Sequence, residues 1–184
     1  YGVNQFPKWS LSCIRTSSKK FLALLIHNKS MTIRFIDSYQ FLNDSLARAV
    51  GTLSNLPITT AEFNNGLIMK SKGIFPYSFA TSLKVLQQTN KLPPSWDGVT
   101  PDQYAEAERV WVEMGCRTLL DYMLVYLKLD VTLLADVFQQ FRQKSISHNR
   151  LEPLNFFGIP GMSWASSLMT LTEPIELLVD NEMY

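Results

Sequence analysis

The sequence predicts an α/β fold on three observations. Two β-rich runs flank a polar turn near the start, residues 118–143 repeat apolar side chains at helical spacing, and the composition is that of a folded domain. Hydrophobic residues make up 46% of the 184 and charged residues 18%, too apolar for a disordered chain and enough for one sizeable core.

Residues 20–26 and 31–37 (KFLALLI and MTIRFID) flank His27-Asn28-Lys29-Ser30 and are expected to form a β-hairpin or two neighbouring strands. In the second run Ile33, Phe35 and Asp37 share one face, and Arg34 and Ile36 the other. Residues 44–50 read as a short helix capped by Asp44 or Ser45. Residues 54–101 are rich in proline and glycine (Pro57, Gly66, Gly73, Pro76, Pro93, Pro94) and read as a long irregular stretch, with one helix over Phe79–Gln88. Thr100 then caps a helix that places Pro101 in its first turn and stops at Gly115. In the long helix Leu119, Tyr122, Met123, Tyr126, Leu127, Leu134, Val137, Phe138 and Phe141 follow the helical period, with Arg142 and Lys144 near its end. Residues 149–184, with Pro153, Pro160 and Gly161, read as a connector containing a short amphipathic stretch.

Several classes are excluded. The formal net charge of +1 argues against non-specific coating of nucleic acid, though not against a local basic groove. Cys13 and Cys116 stand far apart, so no disulfide framework is expected and a reducing compartment fits. His27 and His148 are equally scattered, and no Cys/His set has zinc spacing. The longest strongly apolar run, Phe21–Ile26, is too short to span a bilayer, so no membrane is expected as a partner. The chain opens on Tyr1 and closes on Tyr184, and it is expected to be an internal piece of a longer protein.

Asp130 is the first chemical anomaly. It lies mid-helix, four residues after Tyr126, among Met123, Leu127, Val131, Leu133 and Leu134. A carboxylate on an apolar face is costly unless it is paired, hydrogen-bonded or bound to a metal. Many helices supply a Tyr-x-x-x-Asp pair, so a surface acid beside a packed tyrosine is the commoner explanation from spacing. Lys72 precedes Gly73-Ile74-Phe75-Pro76-Tyr77, where a loop lysine can reach a phosphate or simply stand in solvent. Tyr77 could stack on a base of a single strand, or pack under the loop. Asp37-Ser38 ends a strand, which favours a turn over a ligand. Arg15, Lys19, Lys20, Lys29 and Arg34 could line a strand channel, or form a solvated sheet face.

Taken in order, the motifs resemble one family. They are Arg34-Phe35-Ile36-Asp37-Ser38, Phe41-Leu42, Ser45-Leu46, Lys72 through Tyr77, Leu92-Pro93-Pro94, Val110-Trp111 and Gly115-Cys116. Tyr126 through Val131, Leu133 through Phe138 and Pro160-Gly161-Met162-Ser163-Trp164 complete the series. Together they resemble the exonuclease domain of protein-primed family B DNA polymerases, those of Polinton (Maverick) and similar virus-like elements above all.

The resemblance implies a partial ribonuclease-H-like 3′–5′ exonuclease domain, a mixed sheet flanked by helices, over residues 1–148. Residues 149–184 would then be the connector toward the polymerase palm. It implies that Tyr126 and Asp130 are the third exonuclease motif, with Asp130 a ligand of catalytic Mg²⁺ or Mn²⁺ and Tyr126 orienting water or the scissile phosphate. Lys72 would stabilise phosphate charge, and Tyr77 would hold the primer end. Ser38, or Ser45 with Leu46, would contact single-stranded DNA or the terminal protein primer. The implied partners of the parent enzyme are DNA, a terminal protein and dNTPs, in the nucleus or cytoplasm, or in mitochondria for a linear plasmid. Nothing in residues 1–30 matches the Asp-x-Glu motif of the family, and its Asn-x-x-x-Phe/Tyr-Asp motif is also missing. The polymerising motifs are expected beyond residue 184. Two-metal hydrolysis needs several carboxylates, so the isolated chain is expected to be inert. A decayed or domesticated DNA-binding or interaction module is the alternative.

Overall fold

A computed structural model describes residues 9–17, 20–63, 72–94, 96 and 98–175. Lys19, Gly66 and residues 176–184 of the expected connector lie outside the described residues, as does the side chain of Lys20. The chain divides into two compact units, one of residues 1–43 and 142–184, the other Asp44–Phe141.

The first unit carries an antiparallel meander of three strands, β1 (Ser10–Ser17), β2 (Lys20–His27) and β3 (Thr32–Ile36), in that spatial order. The expected pair is β2 and β3; β1 was not expected, because its Ser-Leu-Ser-Cys start lacks a strong β pattern. The β2–β3 turn is built by Asn28, whose Oδ1 accepts from the backbone N–H of Ser30 at 2.9 Å and of Met31 at 2.8 Å. The register sets Leu24 opposite Phe35 and Ile26 opposite Ile33, so these four share a face. Ala23, on the other face, is buried. There Arg34 donates to the carbonyl of Leu154, and its guanidinium lies 5.2 Å from the centre of the Phe157 ring. Asp37 caps a short 3-10 turn, Ser38–Gln40, by accepting from the N–H of Tyr39 at 3.0 Å. The helix α6 (Ile159–Met169) lies in the expected connector and buries Met162.

The second unit is helical. Ser45, not Asp44, caps α1 (Leu46–Gly51) through the N–H of Arg48. The stretch expected to be irregular contains α2 (Pro57–Phe63), a 3-10 turn at Tyr77–Phe79 and α3 (Leu83–Gln88). The single helix expected over Phe79–Gln88 is interrupted because Ser82 is extended and caps α3, accepting from the N–H of Val85 at 3.3 Å. α4 (Pro101–Glu113) opens with a capping box between Thr100 and Gln103 and ends before Gly115, whose φ of +63° suits glycine. α5 runs Leu119–Asn149, a turn and a half past the expected end, and its residues from 142 onward belong to the first unit. Leu119, Leu129 and Leu133 are fully buried and form the spine of the second unit's core.

The described sheet is wholly antiparallel. Cys13 and Cys116 are both free thiols. No helix among the described residues is long and apolar enough to cross a membrane.

Candidate functional site

α5 presents Tyr126 and Asp130 one turn apart, and the loop after Gly73 lies over Tyr126. Gly73 makes that approach possible: a Cβ there would stand 3.3 Å from Leu129 Cδ2 and 3.3 Å from Tyr126 Cδ2. The loop is pinned by the Tyr122 hydroxyl, which donates to the Ile74 carbonyl at 2.9 Å. Phe75, buried, is the hub of an aromatic cluster, 5.5 Å from the Tyr126 ring, 5.2 Å from Tyr77 and 6.1 Å from Tyr122 between centroids. The Tyr77 hydroxyl donates to the Tyr126 hydroxyl at 3.0 Å, while the Tyr77 ring remains 69% exposed.

Asp130 carries the orphaned polar atom of the site. Its Oδ1 is buried and has no hydrogen-bond partner. A buried carboxylate oxygen left without a donor costs kilocalories, which a bound cation would return. Burial, the Tyr77 hydrogen bond, and the hydrogen bond to Asp130 with its charge, in that order, push the Tyr126 phenol well above its ordinary range. Tyr126 therefore keeps its proton at neutral pH and can donate it in a hydrogen bond. The chemistry of the donor set suits a hard divalent cation, for which a carboxylate oxygen is a preferred ligand. Asp130 would be one ligand among several; among the described residues no three His, Cys, Asp or Glu side chains cluster closely enough to hold a metal by themselves.

The second unit thus holds Lys72, Tyr77, Tyr126 and Asp130: Tyr77 meets Tyr126, Asp130 lies one helical turn on, and Lys72, exposed, lines a cavity of about 340 Å³ together with residues of α4. Of the face expected around Asp130, Leu133 is buried, whereas Leu127, Val131 and Leu134 are exposed. Ser45 and Leu46 begin α1 of the same unit, where the Ser45 hydroxyl is committed to its cap. Ser38 belongs to the first unit, in the turn that Asp37 caps.

Two roles in this region escaped sequence reasoning. Phe75 was one aromatic in a loop, and nothing in spacing marks a hub. Asp136 is buried and accepts from the N–H groups of Ile58 and Thr59, each at 2.9 Å, and from the Thr59 hydroxyl at 2.7 Å. It caps α2 from a different helix. Its signal was a second mid-helix acid, between the core residues Leu133 and Val137.

A family model for DNA polymerase type B, organellar and viral, matches residues 2–171. The chain belongs to that family. DNA is accordingly the partner of this polymerase segment, and the site above is a feature of a type B DNA polymerase. No curated protein and no solved structure matches the chain.

Proposed function

We propose that this polymerase segment carries part of a 3′–5′ proofreading exonuclease, in a ribonuclease-H-like domain of a protein-primed, Polinton-like member of the family. The observation that carries the reading is the buried, unpartnered Oδ1 of Asp130, one helical turn from Tyr126 and in the unit that holds the lysine loop. Residues 149–184 are the connector toward the palm, and the terminal protein and dNTPs are partners of the whole enzyme. Ser38, or Ser45 with Leu46, contacts single-stranded DNA or the terminal protein.

Asp130 would hold Mg²⁺ or Mn²⁺ with carboxylates from elsewhere in the enzyme, and the ion would supply Lewis-acid stabilisation of the phosphodiester. Tyr126 stays protonated and donates to a phosphate oxygen or to the attacking water. The Lys72 ammonium offsets charge that builds on the phosphate, as a point charge on a loop fixed by Tyr122. The exposed Tyr77 ring offers a stacking surface for the terminal base, while its hydroxyl steadies Tyr126. The isolated chain, with one metal-ligating carboxylate, is inert in hydrolysis.

Two measurements test this. Mn²⁺ titrated into the chain should broaden the NMR signals of Tyr126 and its neighbours, and Asp130→Asn should abolish the broadening. In a polymerase containing the segment, Tyr126→Phe should slow degradation of single-stranded DNA roughly 10- to 1000-fold and leave polymerisation intact. Undiminished nuclease activity in Asp130→Asn would defeat the reading.

A further inference from the structure

A second cavity of the helical unit, of about 490 Å³, lies between the segment that follows α3 and one stripe of α4. Its size falls within the roughly 300–1,000 Å³ of small-molecule sites. On α4, Glu108 stands one turn and Trp111 two turns after Tyr104, so the helical period sets all three on one face. Lys91, Leu92 and Pro94 form the other wall. An aromatic stripe on a helix is ordinarily filled core. Here Tyr104 and Trp111 are only half-buried, and the space beside them is open.

Both rings are braced from within the unit. Between centroids, the Trp111 ring lies 5.8 Å from Tyr122 and the Tyr104 ring 5.5 Å from Trp96. The other wall is anchored too. Leu92 and Pro93 are buried, and the Leu119 N–H donates to the Thr89 carbonyl at 2.7 Å, which ties the end of α3 to the start of α5. A ligand therefore meets walls that are already ordered, and little conformational entropy is lost on binding. The polar groups are few among the described lining residues. Burial, then the charge and the hydrogen bond of Glu108, hold the Tyr104 phenol above its ordinary range. The Tyr104 hydroxyl is thus protonated and spent on Glu108, and what it offers is its ring. Lys91, exposed, is the cation of the lining. The Trp111 indole adds one N–H donor, which any base can meet with a carbonyl oxygen or a ring nitrogen.

A flat, neutral group with an anion at its edge suits this arrangement. Bases of a single strand meet that description, and stacking on aromatic rings takes them without regard to sequence. A proline-rich peptide would also pack against the rings, but it brings no anion for Lys91. We infer that Tyr104, Trp111 and Lys91 form a second single-strand site, which stacks unpaired internal bases of DNA on the two rings and holds the adjoining phosphate at Lys91. DNA is the partner of the family to which the chain belongs, so the site does not rest on the exonuclease reading. It differs from Tyr77, whose ring is offered to the terminal base. The Glu108 carboxylate repels the strand's phosphates and keeps them to the Lys91 wall.

The test uses the 184-residue chain and a short circular oligothymidylate, which has no 3′ end to occupy Tyr77. Fluorescence anisotropy compares it with a circle of equal length in which abasic sugars replace the nucleosides, so that phosphates are kept and bases lost. The thymidine circle should bind at least roughly five-fold more tightly than the abasic one. Trp111→Leu and Tyr104→Leu should each bring it down toward the abasic circle. Lys91→Met should weaken both circles alike and lower the slope of log affinity against log salt by about 0.7. Near-ultraviolet circular dichroism reports folding; if Trp111→Leu unfolds, because that ring also packs on Tyr122, Tyr104→Leu decides. Equal affinity for the two circles, or a preference that survives the ring substitutions, would overturn the site. Binding of a proline-rich peptide at these rings with none of the thymidine circle would overturn it as well and assign the groove to a protein partner.

Discussion

Asp130 and Asp136 occupy the same helix and solve the cost of a buried acid in opposite ways. Asp136 spends its oxygens on two backbone N–H groups and a hydroxyl, so its work is structural. Asp136→Ala would leave all three donors unsatisfied and should destabilise the second unit by about 2–4 kcal/mol in denaturant unfolding. Thr59→Val on that background should restore part of the loss, because one orphaned donor disappears. Asp130 keeps a buried oxygen unmatched, which the proposed metal-binding role would account for. Tyr122 offers a check on the cluster beneath it. Burial, ahead of the charges of Cys116 and Glu106, pushes its phenol from the ordinary value near 10 up to about 12. An unfolded Tyr loses its proton first, so this contribution to stability is complete below pH 10 and is lost between about pH 10 and 12. Melting temperature should therefore fall more steeply across that window in the native chain than in Tyr122→Phe. The spacing of Tyr126 and Asp130 was legible in the sequence because helical period is local. The orphaned oxygen was not, because it depends on which groups surround it in the folded unit.

At the scale of elements, the readings that held were those with local determinants. α4 begins and ends where Thr100, Pro101 and Gly115 say it should, since capping box and left-handed glycine act within a few residues. Thr100→Ala should cost about 1 kcal/mol and speed amide exchange in the first turn of α4. α2 was missed for the opposite reason. It is seven residues long, too short to persist by itself, and its first N–H groups are satisfied by Asp136 from another helix. The break between the 3-10 turn at Tyr77–Phe79 and α3 was also missed. Ser82 competes for the backbone there, and a continuous helix would surrender that cap. β1 was missed because its pattern of Ser, Cys and Arg is weak by itself and is completed by pairing with β2.

For the molecule as a whole, the described sheet leaves one face open. Leu24 and Ile33 are each 39% exposed and Leu11 and Phe35 each 53%, a contiguous apolar patch on paired strands. Patches of this kind mark surfaces that associate. The isolated chain should elute from gel filtration ahead of a monomer, and Phe35→Lys should shift it toward one; a monodisperse native monomer would contradict this. By itself the sequence determined the β2–β3 hairpin, the long helix α5, the caps of α4 and the Tyr126–Asp130 spacing. Each of these follows from propensity and period over a few residues. The ordered motifs also pointed to a type B DNA polymerase, the family that the match over residues 2–171 shows. Only the tertiary structure decided that Gly73 lets the lysine loop rest on α5, that Asp136 is spent and Asp130 is not, and that α4 shares a cavity with Lys72. Those facts depend on which distant groups meet in the folded unit, and desolvation and hydrogen bonding there act through space, where residue spacing carries no information.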